Sequence, residues 1–222
     1  MVIRFIYIFL FITVGLSKAY TKDFHKELLD KLETLYPIEI NFQQINNNET
    51  VINGWMILGG KGLARTEFAP PNNLIIVADG RWVIFHDALY DRTTYLPINR
   101  GLFQALLNPS KFDNKKNLKI FKNIIKDKVV FKISFNQEGT VDELLIFFDL
   151  EEKSNLLGWE IFKNNVREIK VIIKEVKRLK SSELLKSKYF NLSEDIKKQE
   201  NQIFKGPYQR KFKKIPNHGK PK

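Results

Sequence analysis

Leu74-Ile75-Ile76-Val77-Ala78-Asp79-Gly80-Arg81-Trp82-Val83-Ile84-Phe85-His86-Asp87 is the stretch whose reading decides the fold. Two runs rich in Ile, Val, Trp and Phe are separated by Asp79-Gly80 alone, which predicts a β-hairpin closed by a primed turn with positive φ. Pro70-Pro71-Asn72-Asn73 punctuates the chain before it. Outward from this hairpin, strand-like runs recur at Ile38 to Asn46, Thr50 to Leu58, Leu63 to Phe68 and Arg92 to Leu96. The second half continues with Leu118 to Ile125, Lys128 to Asn136, Thr140 to Asp149, Leu156 to Lys163 and Val166 to Leu179. About eleven strands joined by hairpin-length links predict an antiparallel sheet that curls into a sandwich or barrel. The lack of crossover helices excludes a parallel α/β fold.

Two helical segments interrupt this rhythm. From Tyr20 to Tyr36, Phe24, Leu28, Leu32 and Leu35 recur three and four residues apart among Lys, Asp and Glu, and Pro37 stops the helix they predict. Within Pro97 to Leu107, Leu102, Phe103, Leu106 and Leu107 fall at helical spacing before Pro109.

Residues 1–19 hold one early base, Arg4, an apolar run from Phe5 to Leu16, and Ser17-Lys18-Ala19. This is the pattern of a cleavable signal peptide. The run is too short for a hydrocarbon core that needs about 20 residues, so export of a soluble chain is expected. Cysteine is absent, which excludes disulfides, thiolate metal sites and a cysteine nucleophile. One domain is expected over residues 20–190, held by its hydrophobic core alone. A basic, flexible tail is expected over residues 191–222.

The net charge of +12 is concentrated in that tail. Residues 197–222 carry nine Lys or Arg against Glu200, a balance of +8, whereas residues 20–196 carry +2. A nearly neutral body has no basic face for nucleic acid, so none is expected as a partner. The tail instead suits weak attraction to anionic lipid, about 1 kcal/mol per basic residue near a membrane surface.

Little in the chain suggests catalysis. His25, His86 and His218 have no partner at ligand spacing, and His86 and Asp87 are strand neighbours whose side chains point to opposite faces. Gly59-Gly60-Lys61-Gly62 lacks the spacing and the following Ser or Thr of a phosphate loop and reads as a strand turn. No catalytic residue, metal or cofactor is therefore expected.

Several strands are apolar on both faces, among them Trp55-Met56-Ile57-Leu58, Leu74 to Val77, Trp82 to Phe85 and Leu144 to Phe148. A sheet with one wet face should alternate instead. Either a closed sandwich with helices outside or a curved sheet lining a cavity satisfies this pattern, and periodicity does not separate them.

The order of an N-terminal helix, Phe42-Gln43-Gln44, Gly54, Gly62, Arg65-Thr66-Glu67-Phe68, Pro71, Ile76-Val77-Ala78-Asp79-Gly80, Trp82, Asp87 and Leu106-Leu107 resembles the LolA-type outer-membrane lipoprotein carriers. Leu157-Gly158-Trp159-Glu160-Ile161 is similar to that family's tryptophan strand. The resemblance covers Tyr20 to Phe190. It implies an α+β fold, in which an unclosed antiparallel β-barrel of about eleven strands holds an apolar cavity under a helical lid. It also implies a monomeric periplasmic shuttle without catalysis. Such a shuttle takes acylated lipoproteins from an inner-membrane ATP-driven release transporter towards an outer-membrane acceptor. The candidate cavity lining is Met56, Leu58, Phe68, Leu74, Ile76, Val83 and Phe85, and the candidate lid is Leu102, Phe103, Leu106 and Leu107. The family's lid-locking arginine falls on Gly60, with Lys61 where proline is usual, and Arg65 matches a second arginine position, making it a candidate lid contact. A lipid- or lipoprotein-sensing periplasmic regulator on the same open barrel is the alternative.

Overall fold

The computed structural model describes residues 23–99, 104–108, 118–137, 140–150, 155–180, 189–197 and 203–208. The expected signal peptide, Leu102, Phe103 and the basic residues beyond Tyr208 lie outside the described residues. The described elements run α1 (Phe24–Leu35), β1 (Ile38–Asn46), β2 (Val51–Gly60), β3 (Leu63–Phe68), β4 (Leu74–Asp79), β5 (Trp82–Asp87), β6 (Arg92–Pro97) and α2 (Gln104–Leu107). They continue through β7 (Leu118–Ile125), β8 (Lys128–Gln137), β9 (Thr140–Asp149), β10 (Leu156–Lys163), β11 (Val166–Arg178) and α3 (Leu192–Lys197).

The eleven strands form one antiparallel sheet in the order β6-β5-β4-β3-β2-β1-β11-β10-β9-β8-β7. Every neighbour is a hairpin partner except β1 and β11, which pair where the two meanders meet. β6 and β7 are not paired with each other, so the sheet is open. It is nevertheless curved. One apolar cluster unites Leu28 and Leu32 of α1 with Ile40, Leu58 and Ala78 from one half of the sheet and with Phe131, Ile146 and Phe148 from the other. A single helix can touch both halves only if the sheet wraps around it. This is the unclosed barrel the resemblance implied.

The helix owes its form to its residues. Asp23 caps it, its Oδ1 accepting from the amides of His25 and Lys26 at 3.1 and 3.2 Å. Leu28, Leu32 and Leu35 repeat on one face and are buried, each worth about 2 kcal/mol in transfer from water. An ion pair between Lys122 and Glu27 ties β7 to the same helix.

Three local expectations are corrected. The β4–β5 connection is two residues long as expected, but one residue later, at Gly80-Arg81: Gly80 takes the positive φ of 93°, and Asp79 ends β4 with its Oδ1 accepting from the amides of Arg81 and Trp82 at 2.9 and 2.7 Å. The Asp79 side chain thus closes the turn in Asx fashion. Pro97, expected to open the second helix, ends β6 instead, an edge strand where a missing amide costs no ladder bond.

The third correction concerns the tail, expected to be flexible from Asn191. Phe190, Leu192 and Phe204 are buried in a second cluster, against Trp55, Ile57, Ile75, Val77 and Ile84 on the outer face of β2–β5. The strands' second apolar face supplied the surface that composition alone made the tail seem to lack.

Two predictions follow from the geometry. Gly158 sits at a register shift between β9 and β10 with φ +148°, and a Cβ there would lie 2.1 Å from the carbonyl oxygen of Val171. Gly158→Ala should therefore cost about 2 kcal/mol or more, a fall in Tm of roughly 4–8 °C in a chain of this size; an unchanged Tm by calorimetry would contradict this packing. His86 is buried, with Nδ1 3.0 Å from Thr93 Oγ1, and burial pushes its pKa below 6.5 against the opposing pull of Asp91 and Asp87. The unfolded chain then takes up the proton more readily. Its contribution to stability is complete above the unfolded value and is lost as pH falls below it. Denaturation midpoints should drop from about pH 7 to about pH 5, and less so in His86→Gln; equal drops in both proteins would contradict this.

Candidate functional site

Strand register decides which side chains share a face. On one side of β1–β6, Ile40, Met56, Thr66, Ile76, Phe85 and Thr94 form a continuous cross-strand row. Ile38, Leu58, Ala64, Ala78, Val83 and Leu96 form the next. Phe68 and Leu74 lie on this same face by strand alternation. All seven residues expected to line a cavity therefore share the inner face, the one that packs against α1.

Cover over this face is uneven. Beneath α1 and towards β8 and β9 it is sealed, with Ile38, Ile40, Phe131, Ile133, Leu144, Ile146 and Phe148 all fully buried. Leu58 and Phe68 are buried as well, while Met56, Leu74, Ile76 and Val83 are only partly buried against the cluster. Phe85 is half-buried, and Leu96 on the edge strand is 48% exposed. The inner face thus opens from the helix towards the β5–β6 edge. Leu96 and Ile98 extend this accessible apolar surface. Leu96 was legible in the sequence, since it has the parity of Val83 across the β5–β6 hairpin.

The expected lid is represented by α2. Leu106 is buried in the inner cluster beside Ala105, and Leu107 is half-buried. Leu102 and Phe103 lie outside the described residues. The main chain of α2 is held, among others, by two bonds between described residues: the Gly62 amide donates to the Leu107 carbonyl at 2.7 Å, and the Tyr36 hydroxyl donates to the Leu106 carbonyl. Burial raises the Tyr36 pKa far above the usual 10, which keeps this group a protonated donor. Gly60, at the family's arginine position, abuts the Tyr36 ring, where a Cβ would come within 3.1 Å. A tyrosine from the end of α1 therefore anchors this segment.

Arg65 departs from its expected place as a lid contact. It belongs to the outer row Ile57, Arg65, Val77 and Ile84, facing away from α2. It is fully buried, pairs with Glu67 at 2.6 Å, and donates to the carbonyls of Tyr189 and Ile203. Alternation from Ala64 and Thr66 puts it there. Among the described residues, no cluster of three or more His, Cys, Asp or Glu is arranged to hold a metal ion.

No protein-family model matches the sequence, and no curated protein is similar to it. Among solved structures, an uncharacterized conserved protein from Thermus thermophilus is 15% identical, with a TM-score of 0.45 over 72% of this chain and 92% of that one. A LolA superfamily protein from Nitrosomonas europaea is 8% identical, with a TM-score of 0.36 over 70% and 94% of the two chains. The lipoprotein LppX of Mycobacterium tuberculosis is 10% identical, with a TM-score of 0.34 over 70% and 93%. These are distant likenesses of fold.

Tyr36→Phe should remove one anchor of α2 at a cost of about 1 kcal/mol. Hydrogen exchange at the Gly62 amide should speed several-fold. Exchange unchanged from wild type would show that the hydroxyl does not hold this segment.

Proposed function

We propose that this protein is a non-enzymatic carrier. In this reading it holds the acyl chains of lipoproteins on its inner sheet face and moves them through the periplasm. The cargo is released by an ATP-driven transporter of the inner membrane and delivered towards the outer membrane. The observation that carries the reading is the pair of inner rows. They are apolar except for threonines, sealed at one end by α1, and still accessible along Met56, Leu74, Ile76, Val83 and Phe85.

Such a surface suits an alkyl chain. Each methylene moved out of water gains about 0.8 kcal/mol and needs no directional partner. The neighbouring alanines 64 and 78 keep the floor of β3 and β4 low, while Leu58 and Val83 flank them in the same row. Release is served by α2, which lies outside the strand ladders and is joined to the sheet by its buried side chains and by main-chain bonds at Gly62 and Tyr36. No chemical step is required of any residue.

Ile76→Glu and Phe85→Glu test the reading. Both positions are half-buried, so the carboxylate can reach water in the empty protein yet would be desolvated under an acyl chain. Uptake from lipoprotein-loaded membranes should fall at least about tenfold, equivalent to 1.4 kcal/mol, with the far-ultraviolet circular dichroism retained. Tyr95→Glu on the exposed outer face of the edge strand should leave uptake intact. Wild-type uptake by both inner-face variants would refute the assignment.

A further inference from the structure

The outer face of β2–β5 carries a second arrangement that the carrier reading does not use. Arg65 and Glu67 are each fully buried and paired, yet most of their hydrogen bonds go to main-chain groups of the C-terminal segment. Arg65 Nη1 and Nη2 donate to the carbonyls of Tyr189 and Ile203 at 3.0 and 2.5 Å. Glu67 Oε1 accepts from the Lys205 amide at 2.8 Å, and its Oε2 from the Gly206 amide at 2.7 Å. Around this pair the floor is apolar: Trp55, Ile57, Ile75, Val77 and Ile84.

We propose that this face is a second binding site, built to read the main chain of a polypeptide segment that bends at a glycine, and that residues 203–208 of this chain are its resident ligand. A guanidinium on a carbonyl and a carboxylate bridging two successive amides recognise peptide groups rather than particular side chains. Selectivity comes from two neighbouring positions. Phe204 is fully buried in the apolar floor. At Gly206 a Cβ would lie 2.6 Å from the Trp55 ring and 2.7 Å from Glu67 Oε2, so any side chain there lifts the segment off its acceptor. The ligand class is therefore a peptide that bends at a glycine and carries an aromatic residue two positions before it.

The energetics favour a site built around an occupant. A buried ion pair among apolar residues is costly unless its remaining donors and acceptors are satisfied. The segment satisfies two donor groups of Arg65 and both oxygens of Glu67. The site lies on the opposite face of the sheet from the acyl-binding rows, and neither reading depends on the other.

The test uses the full chain carrying Gly206→Val, which displaces the resident segment, and a fluorescent synthetic peptide of sequence Ile-Phe-Lys-Gly-Pro-Tyr followed by anisotropy. The peptide should bind the variant saturably, one to one, and at least tenfold more tightly than it binds wild type, whose site is filled. Binding should vanish when the peptide's glycine is replaced by valine, or when Glu67→Gln is combined with Gly206→Val. A folded Gly206→Val protein that does not bind the peptide would overturn the proposal. So would a Gly206→Val protein that fails to fold, since residues 203–208 would then be core and not ligand.

Discussion

Everything in this structure depends on a sheet that is apolar on both faces through β2, β4 and β5. A strand such as Trp55-Met56-Ile57-Leu58 places Met56 and Leu58 inside and Trp55 and Ile57 outside, so neither face can be left to water without cost. Inner and outer faces are covered by different means. On the inner face, α1 seals the centre and leaves the flank towards β5 and β6 incompletely covered. On the outer face, residues from 189–197 and 203–208 close the second cluster. Incomplete cover on one side and close cover on the other is the asymmetry from which the functional reading comes.

The polar groups follow the same division. The inner rows carry only Thr66 and Thr94 among apolar side chains, which suits a ligand without hydrogen-bonding needs. The outer rows carry Arg65, Glu67 and His86, all buried, and the first two are satisfied largely by peptide groups of the C-terminal segment. A charge pair in that setting adds less to stability than apolar packing would, but it specifies where the segment must lie.

Much of this was legible in the sequence because strand alternation and turn residues are local signals. All eleven strands fall where the apolar runs and the Gly, Asn, Asp and Pro clusters put them, within a few residues at their ends. The common face of Met56, Leu58, Ile76, Val83 and Phe85 follows from parity once the hairpins are paired. The misplaced features are long-range ones. Analogy of position places Arg65 at the lid, although the parity of Ala64 and Thr66 turns it outward. The C-terminal segment reads as flexible because its own composition is polar. Its order comes from Phe204 and Leu192 meeting a face more than a hundred residues away in sequence, and no window of the tail contains that information.

The central claim is that the inner face holds acyl chains. Native mass spectrometry of the protein, exported in a Gram-negative host and purified from the periplasm without detergent, tests it most directly. The account predicts adduct masses matching acylated lipoproteins, lost on extraction with detergent. A clean unliganded mass, persisting after incubation with lipoprotein-loaded membranes, would contradict it.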